Sequence, residues 1–339
     1  MKILVTGSAG FIAGYLIDKL LKQGHEVWGI DNYSKYGKIS KSYDNHPRYH
    51  FTEGDCKDVA LMKEMMSDVD QVVAIAAMIG GITYFHKYAY DLLAENERIM
   101  ASTFDAAIWA NRCKHLQKIN VISSSMVYEN TVNYPSLENS AYECPPPYST
   151  YGFQKLAVEY YAKGAWEQYH LPYTIIRPFN CVGIGEQRAK CEAEVMSGNV
   201  KLAMSHVVPD LIQKIYKGQN PLHILGSGNQ IRCYTYGGDL ADGICKCIEK
   251  EAAVNQVFNL STPVATTVKE LAELIWKKIK GDAPLSFVYD EPCVYDVQKR
   301  IPSVKKARDL LGFEANTNLD TILDEVIPWV EKQIELGNI

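Results

Sequence analysis

Several features are missing from this 339-residue chain, and each absence removes a class of function. It has no long apolar run: the longest nearly apolar stretch, Val72 to Ile82, is too short to cross a bilayer and carries two glycines. No membrane span is expected. The start, Met1 to Gly7, turns glycine-rich too soon for the apolar core of a signal peptide, so the expected location is the cytoplasm. Long runs of one charge sign are missing too. Thirty-five Lys and Arg stand against forty Asp and Glu, for a net charge of -5, and such a surface lacks the positive field that nucleic acid requires. The nine cysteines form no CxxC pair and no Cys/His zinc spacing; they read as reduced thiols, with no metal site. Internal repeats and low-complexity stretches are absent as well.

What is present is a foldable composition, 47% hydrophobic and 22% charged, at a length near twice a typical domain of about 150 residues. Short β-branched runs at 2–6, 26–31 and 72–77 alternate with helical periodicity at 11–22, the signature of a parallel sheet covered on both faces. Further strands are expected at 119–123 and 173–177, with long helices near 90–110 and 151–169. Beyond about Asn180 the elements shorten, with helices near 269–280 and 303–311. Strands at 223–225 and 257–260 are expected to extend the main sheet. The fold class is thus α/β, a Rossmann-type doubly wound parallel sheet with a smaller C-terminal α/β substrate-binding lobe. Residues 1–180 are expected to form the larger sheet domain, joined by main-sheet elements near 210–262. Residues 181–339 form mainly the substrate lobe, interleaved with the first.

Strand 2–6 runs straight into Gly7-Ser8-Ala9-Gly10-Phe11-Ile12-Ala13-Gly14 at a helix start. Glycines let the backbone approach a diphosphate there, and the first-turn N–H groups and positive helix end hold its charge. Gly7, Gly10, Phe11 and Ile12 are therefore candidate cofactor ligands. Asp31, followed by Asn32, lies twenty-one residues beyond Gly10 at the end of the second strand. A carboxylate there accepts hydrogen bonds from the adenosine ribose and repels a 2′-phosphate, so the implied cofactor is NAD. Tyr151 and Lys155 stand one helical turn apart on one face, an arrangement in which the ammonium is expected to favour phenolate and make Tyr151 a general base. They follow a strand ending Ser123-Ser124-Ser125, where a hydroxyl could hold the same substrate oxygen.

Together these residues resemble the extended short-chain dehydrogenase/reductase family, in its NAD-dependent nucleotide-sugar epimerase/dehydratase branch. The likeness runs from Thr6-Gly7-Ser8-Ala9-Gly10-Phe11-Ile12 through Tyr151/Lys155 and Arg177-Pro178-Phe179-Asn180 to Leu310-Leu311-Gly312-Phe313. It implies that Asp55 and Cys56 approach the adenine, that Ala76, Ala77, Asn96 and Ser123 serve the cofactor, and that Ser124 is the catalytic partner of Tyr151 and Lys155. It also implies that Ser125, Asn180, His206, Val207, Arg232 and Arg300 face a nucleotide-diphosphate sugar, GDP- or UDP-linked, and that the two long helices pair with a second copy in a homodimer. Departures from the branch include Ala13 for the third glycine, Glu129 for the Gly after Val-Tyr, and Cys233 for an Asp after Arg232.

Branch members that eliminate, decarboxylate or 3,5-epimerise resemble one another in carrying an acid or thiol between the Ser124 and Tyr128 positions; here Ser125 and Met126 stand there. A thioether shuttles no proton. The implied activity is a nucleotide-sugar 4-epimerase that passes through a 4-keto sugar, with transient hydride transfer to tightly bound NAD. A C4 dehydrogenase is one alternative. A GDP-4-keto-6-deoxysugar epimerase/reductase using His206 is another, because the stretches 76–82 and 205–209 resemble GDP-fucose synthase and GDP-mannose 3,5-epimerase. A non-catalytic NAD-binding regulator is the remote one.

Overall fold

The computed structural model describes residues 1–80, 87–187, 195–202, 206–292 and 296–339. Gly81, Ile82, Cys191, Ser205 and Cys293 lie outside the described residues.

Strand β1 (Lys2–Thr6) leads into α1 (Phe11–Lys22), followed by β2 (Glu26–Asp31), β3 (Tyr49–Glu53), α2 (Val59–Met65) and β4 (Gln71–Ala74). The long α3 (Ala89–Cys113) precedes β5 (Lys118–Ile122), and the long α4 (Thr150–Tyr169) precedes β6 (Tyr173–Pro178). Every residue of β4 and β5 is buried, as strands covered on both faces must be. Helix α1 turns Ala13, Leu16, Ile17, Leu20 and Leu21 inward, the apolar stripe its periodicity predicts.

Past residue 180 come α5 (Val207–Tyr216), β7 (Leu222–Leu225), α6 (Gly237–Glu249), β8 (Gln256–Leu260), α7 (Val268–Lys280), β9 (Phe287–Asp290), α8 (Lys305–Leu311) and α9 (Leu319–Glu335). The main sheet has seven strands in the order β8-β6-β5-β4-β1-β2-β3, all parallel. This is a Rossmann-type doubly wound sheet. The chain order reverses between β1 and β4, which opens a crevice at their carboxyl ends. Helices α1, α6 and α8 cover one face and α2, α3 and α4 the other, each over its own apolar cluster. A third cluster, built from α5, α7, α9 and β7, is the core of the smaller lobe.

The expected extension of the main sheet by 257–260 is present as β8, but the one expected from 223–225 is not. β7 pairs instead with β9 in a separate two-stranded parallel sheet. Leu222 and Ile224 are fully buried in the lobe core, and β8 already occupies the place beside β6. No described helix is long and apolar enough to cross a membrane. The described cysteines are free thiols, and no group of metal-ligating side chains occurs among the described residues.

Candidate active site

A cleft of about 920 Å³ runs from the carboxyl ends of β1, β2, β4, β5 and β6 into the smaller lobe. At its floor Gly7 adopts φ +66°, and a Cβ there would come within 2.8 Å of the Ala76 Cα. Only glycine fits. Gly10 N–H donates to the Gly7 carbonyl at 3.0 Å, and Gly10 opens α1 without a side-chain cap. The first-turn N–H groups, at Phe11, Ile12 and Ala13, have no acceptor within the helix. Thr6 ties β1 to the exit of β4: its Oγ1 accepts from Ile75 N and Ala76 N, each at 3.1 Å. This tight turn, in which a Cβ on Gly7 would strike Ala76 and one on Gly10 would press on the Gly7 carbonyl at 3.0 Å, fits the diphosphate of a dinucleotide.

Asp31 lines the cleft with both oxygens anchored, Oδ2 accepting from Ala9 N at 3.1 Å and Oδ1 from Tyr33 N at 2.7 Å. Burial pushes its carboxyl above the usual range, opposed by those two N–H groups and by Lys41. Asn32 Nδ2 donates to Asp55 Oδ2 at 3.4 Å, so the two acidic positions share one rim. Cys56 also lines the cleft and is buried, its thiol pushed up to about 12 by desolvation. Asn96 is not among the cleft-lining residues. It clamps a loop of the cleft wall, accepting from Met78 N at 2.7 Å and donating to Met78 O at 2.9 Å. Ser123 borders the cleft, but its hydroxyl turns to α4, toward Lys155 O at 3.2 Å and Glu159 Oε1 at 2.6 Å.

Helix α4 begins where Ser149 Oγ accepts from Gly152 N at 3.0 Å. Glu129, one of the departures, accepts from Tyr148 N at 2.9 Å and Ser149 N at 3.0 Å through Oε1. A carboxylate at a helix N-terminus is favourable, and this one fixes where the helix starts. Within the first turn, Tyr151 is buried among Leu92, Met126 and Val297, with its phenol hydrogen-bonded to Ser124. Lys155 is buried as well, and its Nζ donates to the Ile122 carbonyl at 3.1 Å.

The expected lowering of the phenol pKa by Lys155 is not found. Burial raises the Tyr151 pKa, and the groups that oppose it are the Ser124 hydrogen bond and the Arg300 charge. The Lys155 ammonium is directed at a backbone carbonyl, and desolvation lowers its own pKa to about 8.

Arg232 and Arg300 are brought together by the backbone: Arg300 N–H donates to the Ile231 carbonyl at 3.1 Å. Arg300 Nη1 lies 3.5 Å from Ser125 Oγ and 3.3 Å from Met126 Sδ, and its Nε is buried without a hydrogen-bond partner. Arg232 Nη2 lies 3.8 Å from Asp296 Oδ1. Burial pushes both arginine pKa values down, and the Arg232 charge lowers Arg300 further. Two buried guanidiniums beside the one Asp296 carboxylate carry net positive charge, which suits an anion. Cys233, another departure, is fully buried, with a thiol pushed up to about 12; it packs and carries no charge.

Asn180 lines the cleft with φ +34°, a left-handed conformation that asparagine tolerates better than most residues. Its carbonyl accepts from Thr235 N at 3.1 Å. His206, just before α5, pairs through Nδ1 with the buried Glu186 carboxylate, and Val207 follows in the same wall. Glu186 is held below the usual carboxylate range by His206 and Lys35. Sequence reasoning named Glu129 only as a departure and missed Glu186 and Asp296, neither of which sits in a spaced motif.

Known proteins of similar sequence and fold give the family. The family model for the NAD dependent epimerase/dehydratase family matches residues 3–261. A Methanocaldococcus jannaschii protein named as a UDP-glucose 4-epimerase is 30% identical over 338 residues, covering 97% of this chain and 98% of its own. UDP-glucuronic acid decarboxylase 1 of Danio rerio is 24% identical over 98% of this chain and 73% of its own. The crystal structure of a Thermotoga maritima UDP-glucose 4-epimerase with UDP-glucose superposes with a TM-score of 0.81 at 28% identity, covering 98% of this chain and all of that one. A Streptomyces venezuelae dTDP-glucose 4,6-dehydratase crystallised with NAD shares the fold, with a TM-score of 0.84 at 20% identity over 99% of this chain and 98% of that one. The chain belongs to the NAD dependent epimerase/dehydratase family, a group of nucleotide-sugar enzymes, and its cofactor is NAD.

Proposed function

We propose that the protein is a UDP-sugar 4-epimerase. The observation that carries this reading is the buried Tyr151 phenol, bonded to Ser124 and facing Ser125 and Met126 where other reactions would need an acid or thiol. Tyr151 takes the proton of the C4 hydroxyl, and Ser124 orients the C4 oxygen. NAD, when bound, supplies the hydride acceptor and donor that take C4 to a ketone and back. Gly7, Gly10 and the first turn of α1 would hold its diphosphate, Asp31 its adenosine ribose, and Lys155 its nicotinamide ribose. Arg232 and Arg300 neutralise the substrate diphosphate. UDP is favoured over GDP as the nucleotide because the similar proteins named above as UDP-sugar enzymes span nearly the whole chain.

The test is a panel of UDP-, GDP-, CDP- and dTDP-sugars followed by NMR. Interconversion at C4 of a UDP-sugar without net NADH is expected; steady NADH release would replace the reading with a C4 dehydrogenase. One observation favours a second reading, the His206–Glu186 pair in the same cleft. It is an acid–base couple suited to epimerising a 4-keto sugar beside the ketone. Solvent deuterium entering C3 or C5, and lost in His206→Asn, would establish it.

The same reading assigns residues 1–180 to NAD binding and 181–339 mainly to substrate binding, and places the enzyme in the cytoplasm, in carbohydrate biosynthesis. It also includes a homodimer through α3 and α4. Phe153, Tyr160, Trp166 and Tyr169 are exposed on α4, and a groove between the helices is lined by Ala101, Ile108 and Gly164. Apolar exposure of this extent on paired helices is what a second copy would cover. Light scattering should give twice 38.1 kDa, and Tyr160→Glu should halve it.

A further inference from the structure

Beneath the cleft Arg177, on β6, is fully buried and uses all five of its N–H donors. Nε donates to Glu159 Oε1 at 2.8 Å and Nη2 to Glu159 Oε2 at 2.6 Å, a two-point fork. Nη2 also donates to the Tyr142 hydroxyl at 3.0 Å, and Nη1 to the Tyr128 hydroxyl and the Glu138 carbonyl, each at 2.5 Å. Glu159 holds the Ser123 hydroxyl as well. Neither Arg177 nor Glu159 lines the cleft.

The network reaches both halves of the candidate site. On one side Glu159 lies one turn beyond Lys155 and two beyond Tyr151, and through Ser123 it fixes the residue next to Ser124. On the other side Tyr128 donates to Asn259 Oδ1 at 2.7 Å, and Asn259 Nδ2 donates to the Ser303 carbonyl at 3.2 Å, three residues after Arg300. A fully buried ion pair contributes little net stability, since desolvation offsets its attraction. Its directional fork does fix orientation. We propose that Glu159 and Arg177 are positioning residues, a buried hub that holds Ser124 against Tyr151 and Arg300 beside Ser125 in one geometry. The inference rests on the reading of Tyr151 as the base.

The experiment replaces the pair by apolar groups of similar volume, Glu159→Leu with Arg177→Met, alongside Ser123→Ala, which removes only the bridging hydroxyl. Each variant is compared with the parent in kcat and KM for the UDP-sugar turned over, in thermal midpoint, and in titration of the Tyr151 phenol by NMR of ring-labelled tyrosine, assigned with Tyr151→Phe. The double variant is expected to fold and to lose ~10²-fold in kcat, because small misplacements at a reacting centre cost about that much. Its KM should move less than about threefold, while the phenol titration moves to higher pH as its bond to Ser124 loosens. Ser123→Ala should lose ~10-fold in kcat at an unchanged midpoint. A folded double variant with parental kcat and phenol titration overturns the proposal; if that variant does not fold, Ser123→Ala with parental kcat and titration overturns it. If no UDP-sugar turns over in the parent, the functional reading fails, and the phenol titration still decides whether the hub positions Tyr151.

Discussion

The ammonium of Lys155 and the main-chain carbonyl of Ile122 are hydrogen-bonded at 3.1 Å, so the lysine of the Tyr-Lys pair anchors α4 to the end of β5. Its burial has a pH signature. With a folded pKa lowered to about 8 from the ordinary 10.5, the folded protein sheds this proton before the unfolded chain does. Stability from this group therefore rises as pH climbs from about 8 toward the unfolded value, and below 8 the cost of burying the charge is constant. In NAD-free protein, urea midpoints measured between neutral pH and pH 10 should rise less, or fall more, in Lys155→Met than in the parent. Parallel curves would show that Lys155 is not desolvated.

Tyr151→Phe removes the phenol bonded to Ser124 while leaving its apolar neighbours in place. Turnover should fall by ~10²–10⁴-fold, the usual contribution of a general base, with the circular dichroism spectrum unchanged. Ser124→Ala should lose less, since it removes an orienting hydrogen bond and leaves the proton acceptor. A Tyr151→Phe variant that retained parental kcat would remove the phenol from the mechanism.

The two guanidiniums of Arg232 and Arg300 repel one another. Arg300→Met relieves that repulsion and removes a buried Nε that has no hydrogen-bond partner, so the thermal midpoint should stay level or rise. UDP binding should weaken by ~10–100-fold, the loss expected for charge-assisted hydrogen bonds to phosphate. Calorimetric titration with UDP measures the second effect and a thermal scan the first. Opposite signs of the two are the expected outcome.

Asp31→Asn can keep only one of the contacts to Ala9 N and Tyr33 N, through its single carbonyl oxygen, and it removes the negative charge from the ribose site. The preference for NAD over NADP should narrow by ~10-fold, because a 2′-phosphate no longer meets a carboxylate. Dissociation constants for both dinucleotides, by fluorescence titration, check this.

The parallel sheet, the glycine cradle, Asp31 and the Tyr151/Lys155 pair were legible in the chain because each is a local pattern. A strand followed by Gly7 and Gly10, or two side chains one turn apart on a helix, is set by backbone periodicity within a few residues. What those side chains do electrostatically was not legible. Lys155 meets Ile122, Arg300 is the charge that acts on Tyr151, and Glu129 caps the helix that carries the phenol; each relation joins segments far apart in the chain. The same holds for β7, whose short Leu-His-Ile-Leu run suits a strand in any sheet; burial of Leu222 and Ile224 in the smaller lobe assigned it to β9. Sequence by itself determined the fold class and the kind of cofactor, since both follow from short-range spacing. Tertiary structure alone decided which charges face which groups, because desolvation and Coulomb attraction depend on distances through space that the order of residues does not contain.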